Sequence, residues 1–250
     1  MDLHLDTYKN ALLRRIDPGD LDLFKPYLRH TVLELRTPLE TAGHEIECVY
    51  FPCSGLASVV AKKIRGAEAE VGVIGFEGMT GSALVMGDDR ASHDCFIQMA
   101  SEALVIDASQ FKAALDTSET LRSFLMRYVH AFHIQATYTA LINARCKIEE
   151  RLARWLLMCD DRVVGNRIVI THEYLSVMLG VRRPGVTVAL QMIEGRGLIQ
   201  ARRGEVVIRD RKGLINLANG SYGEPEAEYR RLVGEIEIQP QIVPQREPSP

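Results

Sequence analysis

Residues 171–199 read T-H-E-Y-L-S-V-M-L-G-V-R-R-P-G-V-T-V-A-L-Q-M-I-E-G-R-G-L-I. The first part of this stretch places apolar side chains at helical spacing, at Leu175, Met178 and Leu179, and Gly180 then supplies a turn. A second apolar face of helical period follows the turn and is made by Val181, Val186, Ala189, Leu190 and Ile193. Two short helices that meet across one glycine predict a helix-turn-helix.

Glycines punctuate the chain directly after this stretch. Two short runs with strand character, 198–201 and 206–208, are separated by a turn that contains Arg202, Arg203 and Gly204. A hairpin with a basic tip is typical of the wing of a winged helix-turn-helix, where it contacts DNA phosphates. The sequence therefore predicts a winged helix-turn-helix in the C-terminal part of the chain.

The second helix of the motif begins with two arginines. Arg182 and Arg183 lie near the helix end that enters the major groove, where Arg contacts guanine bidentately or pairs with phosphate. The alternative is an ordinary pair of helices in a helical core, with both arginines as solvated charges. The basic hairpin that follows favours sequence-specific binding to double-stranded DNA.

The charge distribution supports the same interpretation, although the whole chain has a net charge of -3. Residues 143–220 contain 14 Lys and Arg against 8 Asp and Glu, a net charge of +6. Residues 1–142 contain 13 against 19, a net charge of -6. A basic C-terminal unit joined to an acidic N-terminal unit is expected of a nucleic-acid-binding protein with a separate sensory part.

Length and composition exclude several classes of protein. A chain of 250 residues corresponds to about two domains, and no apolar run approaches the roughly 18 residues that span a bilayer. The N-terminus lacks the basic-then-apolar order of a signal peptide, so we expect a cytoplasmic protein without membrane contact. The five cysteines contain no C-x-x-C pair and fit reduced thiols. Cys48 and Cys53 leave a thiol switch open as an alternative to incidental cysteines.

The N-terminal part is predicted to be rich in β-structure after a short helix. Asp17 is a candidate N-cap and Pro18 occupies the first helical position. Short apolar runs separated by turn residues then follow at 32–35, 48–51, 56–61, 69–74, 95–99 and 103–106. Short strands at this spacing are typical of a sandwich or jelly roll.

A long helical segment connects the two parts. A stripe of seven residues recurs at alternating spacings of four and three, the heptad pattern of a seam between helices. The stripe is Leu121, Leu125, Tyr128, Phe132, Gln135, Thr139 and Ile142. Ordinary packing against the β-domain is the alternative, but a helix this long favours an exposed dimer spine, which would present two reading helices to a palindromic site.

The order of β-roll, long helix, helix-turn-helix and wing resembles the Crp/Fnr family of bacterial transcription regulators, which includes the cyclic-AMP receptor protein. The resemblance covers about residues 15–220, and its most specific parts are 148–157, I-E-E-R-L-A-R-W-L-L, and 170–190. It implies an α+β fold: a β-roll (jelly-roll) effector domain at 15–117, a dimerisation helix at 118–144 and a winged helix-turn-helix at 145–220. Residues 221–250 are predicted to be a disordered tail, with a short helical turn in E-P-E-A-E-Y-R-R-L-V.

The resemblance also implies roles in DNA binding, although the reading helix departs from the family pattern at two positions. Pro184 replaces a Glu, and Val188 replaces the second Arg of the family's reading helix, so the family's operator sequence is not expected here. We expect base contacts from residues spaced by four on one helical face, namely Arg183, Thr187 and Gln191. We expect phosphate contacts from Arg182, Arg202 and Arg203.

The effector site departs further from the family pattern. Cyclic-nucleotide receptors have a G-E-[LI] turn and an R-[ST]-A phosphate cradle about ten residues after the Glu. Here the candidate remnants have a Phe inserted and the cradle in altered order, and they are Gly75, Glu77, Gly78, Arg90 and Ser92. Turn glycines and a solvated arginine are the alternative, so we expect no cofactor and doubt that a cyclic nucleotide binds.

Three functions remain to be distinguished. The first is a homodimeric transcription regulator of the Crp/Fnr type that is controlled through its β-roll, with RNA polymerase as a further partner if it is an activator. The second is a cyclic-nucleotide-binding module without DNA activity. The third is a cupin-like enzyme built on Glu77, Asp88, Asp89, His93 and Asp94, although the H-x-H pair that a cupin metal site needs is missing from the sequence. We expect no enzyme activity and no metal.

Overall fold

The computed structural model describes residues 9–62, 68–163 and 165–235 of the chain. The first α-helix, α1 (Pro18–Asp22), begins where the sequence predicts it. The Asp17 side chain accepts a hydrogen bond from the Gly19 backbone N–H at 2.9 Å, and Pro18 lies in the first turn, where its missing N–H is not needed. The predicted N-cap is therefore confirmed.

The N-terminal domain is a roll of two antiparallel sheets. Its strands in the described residues are β1 (Arg29–Leu33), β2 (Pro38–Glu40), β3 (Cys48–Pro52), β4 (Leu56–Lys62), β5 (Glu68–Ile74), β6 (Asp94–Met99) and β7 (Ser101–Asp107). One sheet has the order β1-β7-β3, and the other has the order β2-β6-β4-β5. The predicted β-roll is confirmed. Strand β2 was absent from the prediction because three residues that begin with a proline carry no readable alternation.

Three aromatic rings form the centre of the N-terminal core. Phe24, Phe51 and Phe111 are fully buried, and the centroids of their rings lie 6.1 to 6.3 Å apart. Two helices complete this domain, α2 (Ser82–Met86) and α3 (Ala108–Thr117). Aromatic burial of this extent is a large hydrophobic contribution to stability, so the roll has a core of its own.

The long helix is α4 (Glu119–Arg145), which is capped by the Ser118 side chain. Its 4-3 stripe is not an exposed seam, and this corrects the prediction. Leu121, Leu125, Tyr128, Gln135 and Ile142 are buried within the single chain, and Phe132 and Thr139 are partly buried. Leu121, Leu125, Tyr128 and Phe132 pack on the β-roll, whereas the Thr139 hydroxyl accepts a hydrogen bond from Arg154 of the C-terminal domain. A 4-3 spacing predicts an apolar helix face but does not specify which element covers it.

Polar contacts fix the same face of α4 to the roll. The Tyr128 hydroxyl donates to the Met79 carbonyl at 2.9 Å and accepts from the Met79 N–H at 3.0 Å. The Gln135 side-chain oxygen accepts from the Val73 N–H at 2.7 Å. These buried hydrogen bonds are satisfied inside one protomer, so neither side chain is available to a partner helix.

The C-terminal domain is a winged helix-turn-helix, as predicted. Its elements are α5 (Ile148–Asp160), β8 (Arg167–Val169), α6 (His172–Met178), α7 (Arg183–Gly195), β9 (Ile199–Arg202), β10 (Glu205–Ile208) and α8 (Arg211–Leu217). Thr171 caps α6 by accepting from the Tyr174 N–H, and Gly180 turns the chain at a φ of 60°. Strand β8 pairs with β10 and was not predicted, since it is three residues long.

Residues 221–235 correct the prediction of a disordered tail. They contain helix α9 (Glu224–Leu232), which is longer than the predicted helical turn and packs against α4. Tyr229 is buried, and its hydroxyl donates to the Glu77 carbonyl at 2.6 Å. The many charged residues of this segment made its apolar face difficult to recognise in the sequence. The structure shows that this face packs against α4. The proline-rich part of the predicted tail, 239–250, lies outside the described residues.

The C-terminal domain is docked on the β2-β6-β4-β5 sheet. One hydrophobic cluster contains side chains of both domains, including Leu56, Val60, Val73, Met99, Trp155, Leu156, Leu175 and Met178. At the edge of this contact the Arg36 guanidinium lies 5.1 Å from the centre of the Tyr174 ring, and Arg36 has a φ of 70°. Left-handed backbone is unfavourable for Arg, so the contact helps to hold an otherwise disfavoured turn.

None of the helices within 9–62, 68–163 and 165–235 combines the length and the hydropathy of a membrane-spanning segment.

Candidate DNA-binding surface and effector site

The second helix of the motif, α7, is amphipathic. Arg182 stands at the N-cap position with an extended backbone, and Pro184 is accommodated in the first turn. The buried side of the helix consists of Val186, Ala189, Leu190 and Ile193. Burial of these four residues orients the opposite face of α7 toward solvent.

The predicted base-reading residues lie on this outer face. Arg183 and Gln191 are exposed, and Thr187 is partly exposed. The Arg183 guanidinium lies 3.6 Å from the Glu173 carboxylate of α6, and the Thr187 hydroxyl lies 3.3 Å from Nδ1 of His172. Exposed ion pairs of this kind are weak, so DNA can compete for Arg183 at little cost.

The outer face of α7 includes two further residues to which the sequence analysis assigned no contact. Val188 and Met192 are exposed apolar side chains on α7. Exposed apolar groups on a reading helix match the methyl group of thymine in the major groove. The sequence could have indicated them, because each directly follows a predicted base-reading residue, Thr187 or Gln191, and lies outside the apolar face of the helix.

The wing presents its arginines differently. Arg202 lies 3.6 Å from Glu205, and Arg167 pairs with the same carboxylate from β8. Arg203 is exposed at the turn between β9 and β10, where Gly204 has a φ of 79°. Glu205 therefore partly neutralises the base of the wing, and Arg203 carries the positive charge at its tip.

Glu77 is not part of a nucleotide cradle, which corrects the effector-site prediction. Its carboxylate accepts a hydrogen bond from Nε of Arg162 at 2.6 Å, and the two side chains are 4% and 6% exposed. Arg162 follows α5 and also donates to the Met158 carbonyl at 2.8 Å. Glu77 thus joins the β-roll to the DNA-binding domain, and a sequence pattern contains no sign of a partner 85 residues away.

Gly75 and Gly78 flank Glu77, and each lies against a different neighbouring element. A Cβ atom at Gly75 would lie 2.9 Å from the Arg162 side chain, and one at Gly78 would lie 2.4 Å from the Tyr128 hydroxyl. Both positions need glycine because neighbouring elements approach the backbone closely. They hold the 75–78 turn against α4 and the C-terminal domain, so they do not line a ligand site as predicted.

The other two predicted effector residues lie elsewhere. Arg90 is exposed, forms an isolated bridge with Glu45, and directs its guanidinium to the Gly43 carbonyl at 3.4 Å. Ser92 lies on a cavity of about 500 Å³ between the β-roll and α4. The five predicted effector residues are therefore not brought together in one site.

The acidic cluster of the enzyme alternative is dispersed in the same way. Asp94 pairs with Lys62, and Asp88 accepts a hydrogen bond from the Arg90 N–H at 3.0 Å. Within residues 9–62, 68–163 and 165–235, no group of three or more His, Cys, Asp and Glu is placed to hold a metal ion.

The cysteines offer little support for a thiol switch. Cys48 and Cys53 are both free thiols and partly buried. Burial raises the pKa of each thiol above its ordinary value, and Asp107 raises the pKa of Cys48 further. A raised pKa disfavours the reactive thiolate at neutral pH.

Comparison with family models identifies both domains. The Crp-like helix-turn-helix domain matches residues 150–217, and the cyclic nucleotide-binding domain matches residues 33–118. The first match covers α5 to α8 with the wing, and the second covers most of the β-roll. A comparison with curated proteins found no match.

Solved structures share the fold over most of the chain. A putative transcriptional regulator of the Crp/Fnr family from Eubacterium rectale superposes with a TM-score of 0.67 at 18% identity, covering 85% of this chain and 99% of that one. The c-di-GMP-responsive regulator CLP of Xanthomonas campestris gives a TM-score of 0.60 at 19% identity, with coverages of 77% and 99%. A CooA mutant from Carboxydothermus hydrogenoformans gives 0.59 at 15%, with coverages of 87% and 97%. At these identities the likeness is one of fold.

Proposed function

Because this chain is a DNA-binding transcription regulator of the Crp/Fnr family, we propose that it binds a palindromic site as a homodimer and responds to a signal received by its β-roll. The observation that carries the proposal is the exposed outer face of α7, which begins with Arg183 and lies in the same domain as the basic wing tip. A reading helix and a wing on one domain can contact a groove and its flanking phosphates together.

We assign base contacts to Arg183, Thr187 and Gln191, which share the outer face of α7. Val188 and Met192 add apolar contacts to thymine methyl groups. Phosphate contacts come from Arg182 at the helix start and from Arg202 and Arg203 in the wing. The division follows from where the side chains lie: Arg183, Thr187 and Gln191 share the outer face of α7, whereas Arg182 precedes its first turn and Arg202 and Arg203 belong to the wing hairpin.

The homodimer is proposed to form through the face of α4 that the β-roll leaves free. Exposed residues recur there at spacings of four and three, namely Met126, His130, His133, Thr137, Ala140 and Ala144. The heptad period is the one that two long helices need to stay in contact. The alanines allow close approach of the helix backbones. For an activator, RNA polymerase would be a further partner.

Selection from random-sequence DNA by the full chain tests this function. A reading dimer should enrich a palindrome whose half-sites are about 10 base pairs apart, the separation of one helical turn. Purely electrostatic binding would enrich no motif and would weaken for all sequences together as salt increases. The absence of DNA binding at low salt would instead favour a cyclic-nucleotide-binding module without DNA activity.

A further inference from the structure

The cavity of about 500 Å³ between the β-roll and α4 has a predominantly apolar lining. Its wall includes Val59, Val71, Ile74, Met79, Val129 and Phe132. Cavities of roughly 300 to 1,000 Å³ with mostly apolar walls are typical of small-molecule sites. The position between a sheet and the long helix gives a bound molecule contact with both elements.

The cavity lacks the permanently charged side chains that usually hold a phosphate. Among the described residues, no Lys or Arg lines it. Arg90 is the residue that a phosphate cradle would require. It is exposed, its backbone forms an isolated β-bridge with Glu45, and its guanidinium contacts the Gly43 carbonyl instead. A phosphate moved from water into this cavity would lose its hydration without gaining an ion pair with Lys or Arg, which is unfavourable.

At the end of the cavity, a backbone N–H already donates its hydrogen bond to a carboxylate of the protein. Glu40 lines the cavity and accepts a hydrogen bond from the Gly81 N–H. Gly81 has a φ of 79°, and a Cβ atom there would lie 2.7 Å from the Val49 side chain, so the turn that presents this N–H is fixed. Burial raises the pKa of Glu40 above its ordinary value. A second anion at this place would add repulsion to the cost of burial.

The rim of the cavity is apolar and exposed. Met86 and Met126 line the opening and are 58% and 43% exposed in the single chain. Met126 also belongs to the α4 face proposed above as the dimer seam, so a partner helix would lie beside this part of the rim. Methionine side chains adapt their shape to a bound apolar group and are common at such surfaces. His93, His130 and His133 lie on the same rim and provide hydrogen-bonding groups.

We propose that this cavity binds an uncharged, largely apolar small molecule with a hydrogen-bonding end, and that it does not accept a cyclic nucleotide. The regulatory meaning of such a ligand rests on the function proposed above, but its binding does not. Binding is therefore measured on the full chain without DNA. If DNA selection fails and ligand binding is intact, the proposed regulatory function is refuted and the proposed class of ligand is retained.

The test uses Nile red as a neutral apolar probe at pH 8, with displacement by octanol, octyl phosphate and cyclic AMP. Octanol and octyl phosphate share one apolar chain and differ in charge. We expect Nile red to bind with one site per chain, and octanol to displace it at concentrations at least about tenfold lower than octyl phosphate. Cyclic AMP should not displace it. Displacement by micromolar cyclic AMP, or equal displacement by both octyl compounds, would overturn the proposal.

Two matched pairs of variants place the probe in the cavity. Ala136→Phe fills the cavity from α4 and should abolish Nile red binding, whereas Leu141→Phe on the exposed surface of α4 should leave it unchanged. Glu40→Gln should reduce the preference for octanol over octyl phosphate by about tenfold, and Glu45→Gln should not. Circular dichroism verifies that each variant is folded. Nile red binding that survives Ala136→Phe would place the probe elsewhere and refute the assignment.

Discussion

Arg183 and Arg203 are both exposed arginines of the DNA-binding domain, but they lie on different elements. Arg183 begins α7, and Arg203 lies at the turn of the wing. Arg183→Ala should cost roughly 1 to 3 kcal/mol of DNA-binding free energy and relax specificity at one base pair per half-site. Arg203→Ala should weaken binding about equally for all sequences and reduce the salt dependence by about one ion per subunit.

Binding measured by fluorescence anisotropy at several salt concentrations, with the selected site and mutated sites, separates the two effects. Arg29→Ala, an exposed position on the β-roll, serves as the control and should leave DNA binding unchanged. If Arg183→Ala lowers affinity for every site alike, Arg183 is a phosphate contact and base reading belongs to Thr187 and Gln191.

Glu70 is a buried carboxylic acid at the contact between the domains. It accepts hydrogen bonds from Nε1 of Trp155 at 2.7 Å and from the Ser58 hydroxyl at 2.6 Å. Burial raises its pKa to about 7, although both hydrogen bonds oppose the increase. Between the unfolded pKa of 4.5 and about 7 the folded chain therefore binds more protons than the unfolded chain, and stability falls as pH rises through this window.

Glu70→Gln tests this pH dependence because glutamine keeps a similar shape and never ionises. Below about pH 4.5 the variant should match the parent, and at pH 8 it should be more stable by about 3 kcal/mol, the equivalent of a shift between two and three pKa units. Urea unfolding followed at a series of pH values measures the difference. The exposed position Glu45 supplies the matched control, Glu45→Gln. Parallel curves for Glu70→Gln and parent would show that Glu70 does not hold its proton.

Helix α4 carries two stripes of the same period on different faces. The stripe with Leu125 and Tyr128 packs on the β-roll, and the stripe with Ala140 and Ala144 faces solvent. The sequence pattern selected the more apolar stripe as the dimer seam. The period alone cannot distinguish a core-facing stripe from a partner-facing one, since both need one continuous helix face.

The two stripes predict opposite outcomes for charged substitutions. Ala140→Arg combined with Ala144→Arg should yield monomers. Each monomer should keep its two folded domains, because the substitutions change only the proposed seam. Leu125→Asp should destabilise the fold by several kcal/mol, since it places an unpaired charge in the core. Sedimentation gives the assembly state, and circular dichroism gives the melting temperature. Ala113→Arg on α3 is the matched control and should remain dimeric. A dimer that survives the double substitution would place the interface elsewhere.

At the scale of the whole molecule, a buried ion pair ties the two domains. Glu77 belongs to the β-roll, Arg162 belongs to the C-terminal domain, and Tyr229 of α9 donates to the same turn. The pair is surrounded by protein, so its two charges depend on each other. Removal of one partner leaves the other charge buried and uncompensated, which costs more than removal of both.

Glu77→Gln should therefore lower the stability of the chain by roughly 3 to 5 kcal/mol, and Glu77→Gln with Arg162→Met should recover most of the loss. Guanidinium denaturation measures both, and amide exchange at α5 and α6 reports whether the domain contact has loosened. Arg29→Met breaks an exposed pair with Asp107 and should change stability little. A double variant as unstable as the single one would show that the ion pair itself contributes the stability.

The sequence by itself determined the helix-turn-helix, the wing, the roll and their order along the chain. Each of these depends on local information: helical or alternating apolar periods, a glycine at the turn between α6 and α7, and an aspartate cap before Pro18. The sequence also placed the candidate DNA-contacting residues on one helix, because a spacing of four residues fixes a shared face.

Only the tertiary structure decided which groups meet across the chain. Glu77 and Arg162 are 85 positions apart, and Tyr229 is 152 positions from the carbonyl that it contacts, so no local pattern marks either contact. The burial of one α4 stripe, the packing of α9 and the apolar cavity beside Glu40 depend in the same way on what covers a surface. A periodic pattern specifies that a face is apolar, but the element that packs on it is set by the free energy of the whole fold.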